Sequence, residues 1–139
     1  MSLALVACVK TKRSEPAPAE QLYTSPWFKK ARQYAIQESE TWRILSAKHG
    51  LLHPETKIPP YETTLYDFSA DQRWEWTSSV LKSLHPLLRI HDEVLILAGK
   101  RYREYIIDPL RENGVTVRIP MEGLGLGEQL RYLNEQLDG

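Results

Sequence analysis

The sequence predicts one α/β domain over residues 1–139: a parallel sheet of about four strands with helices on both faces, Rossmann-like in plan. Three observations lead there. Short continuous apolar runs recur as "LALVACV" (3–9), "TWRILSA" (41–47), "EVLILAG" (93–99) and "VTVRIP" (115–120), the pattern of strands buried on both faces. A segment with helical spacing follows each run, so strand and helix alternate four times, as in sheets built from right-handed parallel crossovers. No internal repeat or linker divides the 139 residues, a length that suits one core.

Each element has its own local reason. Residues 10–24 carry Pro16 and Pro18 among polar residues and read as a loop. Ser25 is a good N-cap and Pro26 a good first helical residue. Phe28, Ala31 and Ala35, flanked by Trp27 and Tyr34, continue a helical stripe, giving a helix over 25–40. The stretch 48–68 holds Pro54, Pro59 and Pro60 and is expected to contain little regular structure. At about 20 residues it is longer than most connections, and such loops are often functional. Ser69 caps a helix running to 89, with Asp71 in its first turn and Trp74, Val80, Leu81, Leu84, Leu87 and Leu88 on its apolar side. Pro86 is expected to kink that helix or end it early. Trp74 and Trp76, two apart, cannot share one narrow face, so one belongs in the core and the other at the surface, where a homodimer contact could use it. "RYREYIIDPLRENG" reads as helical, with Pro109 expected to kink it or split it into two pieces and Gly114 to stop it. Leu126, Leu130, Leu133 and Leu137 mark the last helix.

Composition excludes several classes. A hydrophobic share of 42% and a charged share of 26% rule out disordered and collagen-like chains. No apolar run reaches the roughly 20 residues of a membrane helix. "MSLALVACV" lacks the basic start and cleavage site of a signal peptide and reads as a strand. A single cysteine allows no internal disulfide and suits a reducing cytoplasm. Eighteen basic and eighteen acidic side chains give no net charge, which argues against strong non-specific nucleic-acid binding. A local basic face remains open, because the first thirteen residues hold Lys10, Lys12 and Arg13 and no acid.

Ligands of open parallel sheets bind beyond the carboxyl ends of the strands. Four segments fall there. In "CVKTK", Cys8, Lys10 and Lys12 share a direction if the backbone stays extended; two ammonium groups favour an anion such as phosphate and a reactive thiol. The plainer reading is a small buried cysteine with solvated lysines. In "SAKHGLL", Ser46 can donate and accept, Lys48 can hold an anion or, if desolvated, act as a catalytic base, His49 titrates near neutrality and Gly50 permits close approach. The plainer reading there is a solvated turn. "IPPYETTLYDF" places Tyr61 and Glu62 on a proline-stiffened arm, where Tyr61 could stack on a base and Glu62 accept a proton, or where Tyr61 simply plugs the loop onto the domain. "GKRY", with Gly99 and Tyr102, and "MEGLGLGEQL", with Gly125, could bring backbone N–H groups near a phosphate or form ordinary turns. No metal is expected: His49 and His53 are four apart, but Pro54 denies them a helix. No cofactor motif is present either.

The blocks "ACVKTK", "LYTSPWFKKARQYA", "WRILSAKHGLLHPETKIPPYETTL", "LAGKRYREYI" and "GLGLGEQLRYL" together resemble a family of small bacterial and phage proteins known as a domain of unknown function. The resemblance covers essentially the whole chain. The "SAKHGLL…PPYETTL" block is also distantly similar to the YaaA peroxide-stress proteins, which are linked to DNA binding. Ser46, Gly50, Leu51, Leu52, Pro60 and Tyr61 match that pattern, whereas Lys48 and His49 differ from it. The resemblance implies a shared fold and pocket.

Three functions follow as expectations. The first is an enzyme acting on a nucleobase or N-glycosidic bond, with Lys10, Lys12 and Lys48 on phosphate, Tyr61 on the base, and His49 or Glu62 on the proton. Cys8, Ser46, Gly50, Gly99, Tyr102 and Gly125 would line its ligand site. The second is a non-catalytic module for a nucleotide or nucleic-acid ligand. The third is a structural or partner-interaction protein.

Overall fold

The structure, a computed structural model, describes residues 2–138. In chain order it contains β1 (Ser2–Ala7), β2 (Ala17–Pro18), α1 (Ala19–Leu22), α2 (Pro26–Glu38), β3 (Thr41–Ser46), β4 (Gly50–Leu52) and β5 (Lys57–Ile58). A 3-10 turn at Leu65–Asp67 follows, then α3 (Ala70–Leu88), β6 (Glu93–Leu97), α4 (Lys100–Arg103), α5 (Ile107–Glu112), β7 (Thr116–Arg118) and α6 (Leu126–Asp138). No helix among the described residues is long and apolar enough to cross a membrane.

The main sheet has five strands in the order β4-β3-β1-β6-β7, one more than the four expected. β1 pairs in parallel with both β3 and β6, and β6 in parallel with β7. The fifth strand, β4, runs antiparallel to β3. β1, flanked on both sides, is buried from Leu3 through Ala7, which explains its unbroken apolar sequence. The chain steps from β1 to β3 on one side and returns past β1 to β6 on the other. The sheet therefore changes winding direction between β1 and β6, the place where open α/β sheets offer a crevice.

The helices explain themselves from sequence. Ser25 accepts from the Phe28 N–H and Pro26 opens α2, whose Phe28, Ala31, Tyr34 and Ala35 are buried. α2 packs on β1 and on α6, and the Tyr34 and Tyr132 hydroxyls meet at 3.1 Å between the two helices. Ser69 and Gln72 form a reciprocal capping box at the start of α3. α3 runs on through Pro86 to Leu88 rather than stopping early. Pro86 lies in the last turn, and Leu84 is fully buried while Leu87 and Leu88 pack on the core, so tertiary contacts hold that turn. The tryptophan expected on the apolar side is also corrected. Trp76, in line with Val80 and Leu84, is buried, whereas Trp74 is 49% exposed and stacks on Tyr105. The expected break gives two helices, α4 and α5, but it falls at 104–106, and Pro109 sits in the first turn of α5.

The two long loops are more ordered than expected. Ala17 pairs with Ile58 and Pro18 with Lys57 in a small antiparallel ribbon. Ala19 N–H donates to the Thr56 carbonyl at 2.8 Å and Glu20 N–H to the Pro54 carbonyl at 2.9 Å. Leu22, Tyr23, Ile58, Tyr61 and Leu65 are buried in this joined layer. It also brings Tyr61 to Ser46, at the carboxyl end of β3.

Candidate functional site

"SAKHGLL" is a β-hairpin and not the frayed end of a strand. Ser46 pairs with Gly50, Leu45 with Leu51 and Ile44 with Leu52, leaving Ala47, Lys48 and His49 as the connection. Gly50 closes it at φ 70°, a left-handed conformation that glycine adopts without steric cost. Leu52 is buried and Leu51 packs against the core. Lys48 and His49 are thereby held at an exposed tip beside α3.

Ser46 sits at the centre of a buried polar cluster. Its Oγ accepts from the His49 N–H at 3.0 Å and lies 2.8 Å from the Tyr61 hydroxyl. The Tyr61 hydroxyl also meets that of Tyr23 at 2.5 Å. The Ser46 carbonyl accepts from Trp76 Nε1 at 2.9 Å. Cys8, just past the end of β1, donates its backbone N–H to the Leu45 carbonyl at 2.9 Å and its thiol to the Tyr102 hydroxyl at 3.5 Å. Trp76 stands edge-on to Tyr102, with ring centres 5.7 Å apart. The ends of β1 and β3 and the start of α4 thus share one floor of hydroxyls, a thiol and aromatic rings.

The local chain explains each placement. Pro59 and Pro60 restrict the backbone just before Tyr61, limiting the entropy lost when its ring is fixed. An isolated bridge between Lys12 and Tyr23 folds the segment after β1 back on itself. That fold carries Lys12 Nζ to 4.5 Å from the Tyr61 ring centre and 5.8 Å from that of Tyr23, where both rings offer cation–π attraction. The same ammonium donates to the Lys10 carbonyl at 3.2 Å. The His49 ring meets Tyr61 edge-on at 5.4 Å.

Burial sets the electrostatics. It raises Tyr23, Tyr61 and Tyr102 far above the ordinary phenol range, and the neighbouring Cys8 raises all three further. Burial lowers Lys12, against opposing pulls from Cys8 and Glu62. Burial followed by the charge of Lys48 lowers His49, favouring the neutral imidazole. The floor is therefore made of neutral phenols that can donate and accept, with a partly desolvated ammonium above them.

Cys8, Lys12, Ser46, Tyr61 and Tyr102, all candidates from sequence, come together here. Tyr61 is 8% exposed and hydrogen-bonded, so it forms part of the floor and is not a free arm. Glu62 is exposed beside it and near enough to act on Lys12, and Lys10 is exposed. Lys48, His49 and Gly50 border a depression of about 440 Å³ that adjoins the cluster at Trp76 and is closed on its other side by Gln72, Glu75 and Trp76 of α3. Gly99 caps the four-residue α4, with the Tyr66 hydroxyl 4.0 Å from where its Cβ would stand. Gly125 belongs to the start of α6, where its N–H donates to Glu128 and where Gln129 accepts from Trp27 of α2.

Two members of the cluster were not candidates from sequence. Trp76 could have been found from its spacing to Val80 and Leu84, one helical stripe that Trp74 does not share. Tyr23 gives no such signal, because its position depends on the pairing of two irregular segments.

Comparison with known proteins places the chain beside one curated relative, the "Uncharacterized protein YfjM" of Bacillus subtilis (strain 168). The two are 28% identical over 146 residues, covering 98% of this chain and 95% of the relative. No solved structure matches the chain. Residues 3–135 match the family described as "Family of unknown function (DUF6884)", a span that includes every strand-end residue of the cluster. The chain belongs to that family.

Proposed function

We propose that this protein binds a nucleotide or nucleic-acid component at the carboxyl ends of its parallel strands. The observation that carries the reading is Lys12. Its ammonium is partly withdrawn from water over Tyr61, whose hydroxyl meets Ser46 at the carboxyl end of β3, and no carboxylate forms an ion pair with it among the described residues. An ammonium so placed gains from a phosphate, and Lys10 and Arg13 stand exposed on the same segment to add to the attraction. Exposed aromatic rings suit the base. Tyr66, whose hydroxyl lies near Gly99 just past the end of β6, is 68% exposed with the Arg101 guanidinium 5.9 Å from its ring. The Rossmann-like winding and the YaaA-like set Ser46, Gly50, Leu51, Leu52, Pro60 and Tyr61 support the same location.

In an enzymatic form of this proposal, neutral His49 takes the proton, with Lys48 and Glu62 beside the ligand and a nucleobase or N-glycosidic bond as the target. A binding module without chemistry is the second reading. It is favoured by Tyr61, whose hydroxyl is already committed to Ser46 and Tyr23.

Calorimetric titration with AMP, ATP and a short oligothymidylate tests binding. The expected result is affinity that falls with salt and drops roughly tenfold or more in Lys12→Ala, the scale of one lost charge-assisted contact. No heat with any of the three would overturn it. Base release from nucleosides, lost in His49→Ala, would select the enzyme over the module.

A further inference from the structure

A second groove lies between the later half of α3 and α5, with a volume of about 590 Å³. From Trp76, beside the strand-end cluster, to His85, in this groove, α3 rises about 13 Å, so the two regions are distinct. The floor is apolar: Leu81 and Leu88 of α3 face Leu110 and Val115, of which Leu110 is fully buried and Val115 nearly so. The rim is basic. Lys82, His85 and Arg89 line it and follow one another at i, i+3 and i+7, which brings them out on one stripe of the helix.

No acidic side chain lines this groove. The ion pairs among the described residues join Arg73 to Glu104, Arg118 to Glu93 and Arg131 to Glu135, and none includes Lys82 or Arg89. The C-terminal end of α3 favours cations in its last turn, which accounts for His85 and Arg89 but not for Lys82. An open apolar floor beside an unpaired basic stripe matches a ligand with one anionic end and one apolar end.

We propose that this groove binds a small amphipathic carboxylate, a medium-chain aliphatic acid being the simplest member. The carboxylate lies along Lys82, His85 and Arg89, and the chain covers Leu81, Leu88 and the edge of Val115, above the buried Leu110. This site is independent of the strand-end reading and stands or falls without it.

The test titrates octanoate, 1-octanol and acetate into the full chain and follows the leucine and valine methyl signals by NMR. Octanoate is expected to shift the methyls of Leu81, Leu88, Leu110 and Val115 saturably. Octanol should bind about tenfold more weakly or worse, and acetate should leave the methyls unmoved. The double variant Lys82→Gln/Arg89→Gln, with both changes at exposed positions, should keep the free protein's spectrum and weaken octanoate about tenfold. Absence of saturable shifts, shifts at other methyls, or equal binding of octanoate by the double variant would each overturn the proposal.

Discussion

The hydroxyls of Ser46 and Tyr61 meet 2.8 Å apart in the interior, joining the last residue of β3 to a proline-stiffened loop fifteen residues later. Ser46 is fully buried and also takes the His49 N–H, so one side chain fixes both the hairpin tip and the floor of the cluster. Ser46→Ala leaves a phenol and a backbone N–H each short of a partner. Urea unfolding should show a loss of about 1–3 kcal/mol. A loss within error would mean that Tyr61 is held by Tyr23 alone.

Gly50 carries the turn through its backbone. A Cβ there would meet Val80 Cγ2 at 3.8 Å and Ser79 Oγ at 3.9 Å, which is ordinary contact, so the φ of 70° sets the cost. Gly50→Ala should destabilise by about 1–2 kcal/mol. Chemical denaturation of the variant checks the value, and unchanged stability would contradict the hairpin geometry.

The two tryptophans of α3 should behave oppositely. Trp76→Phe removes the donor to the buried Ser46 carbonyl and should cost about 1–3 kcal/mol. Trp74→Phe keeps a ring against Tyr105 at a half-exposed site and should stay within about 0.5 kcal/mol. Paired denaturation curves decide it, and equal costs would contradict the assignment of Trp76 to the core.

The buried phenols predict a loss of stability in alkali. Tyr23, Tyr61 and Tyr102 hold their protons in the folded chain, while the unfolded chain releases them near the ordinary value of about 10. The folded state then binds more protons, so their contribution is fully present below that pH and is lost as pH rises above it. Absorbance at the phenolate band should show these three ionising only with unfolding. Their early, reversible ionisation in the folded chain would contradict a closed cluster.

Much of this was legible in the sequence, because the signals were local. Ser25-Pro26 and Ser69 with Gln72 mark the starts of α2 and α3, and the four apolar runs contain β1, β3, β6 and β7. β7, however, is a short edge strand with Thr116 and Arg118 exposed and not a strand buried on both faces. What escaped was set by pairing at a distance. β4 is three residues long, too short for a periodicity, and only Gly50 hinted that "HGLL" turns back. β2 and β5 are two residues each and exist only because their loops meet. That same meeting buries Tyr23, and so it hid a member of the cluster. At Pro86 a local rule lost to packing by Leu84, Leu87 and Leu88.

The claim that the strand ends form a ligand site centred on Lys12 is tested most directly by mapping backbone amide shifts while AMP is titrated in. The account predicts saturable changes at Cys8, Lys10, Lys12 and His49 that disappear in Lys12→Ala while the free variant stays folded. Changes elsewhere, or changes that survive Lys12→Ala undiminished, would contradict it.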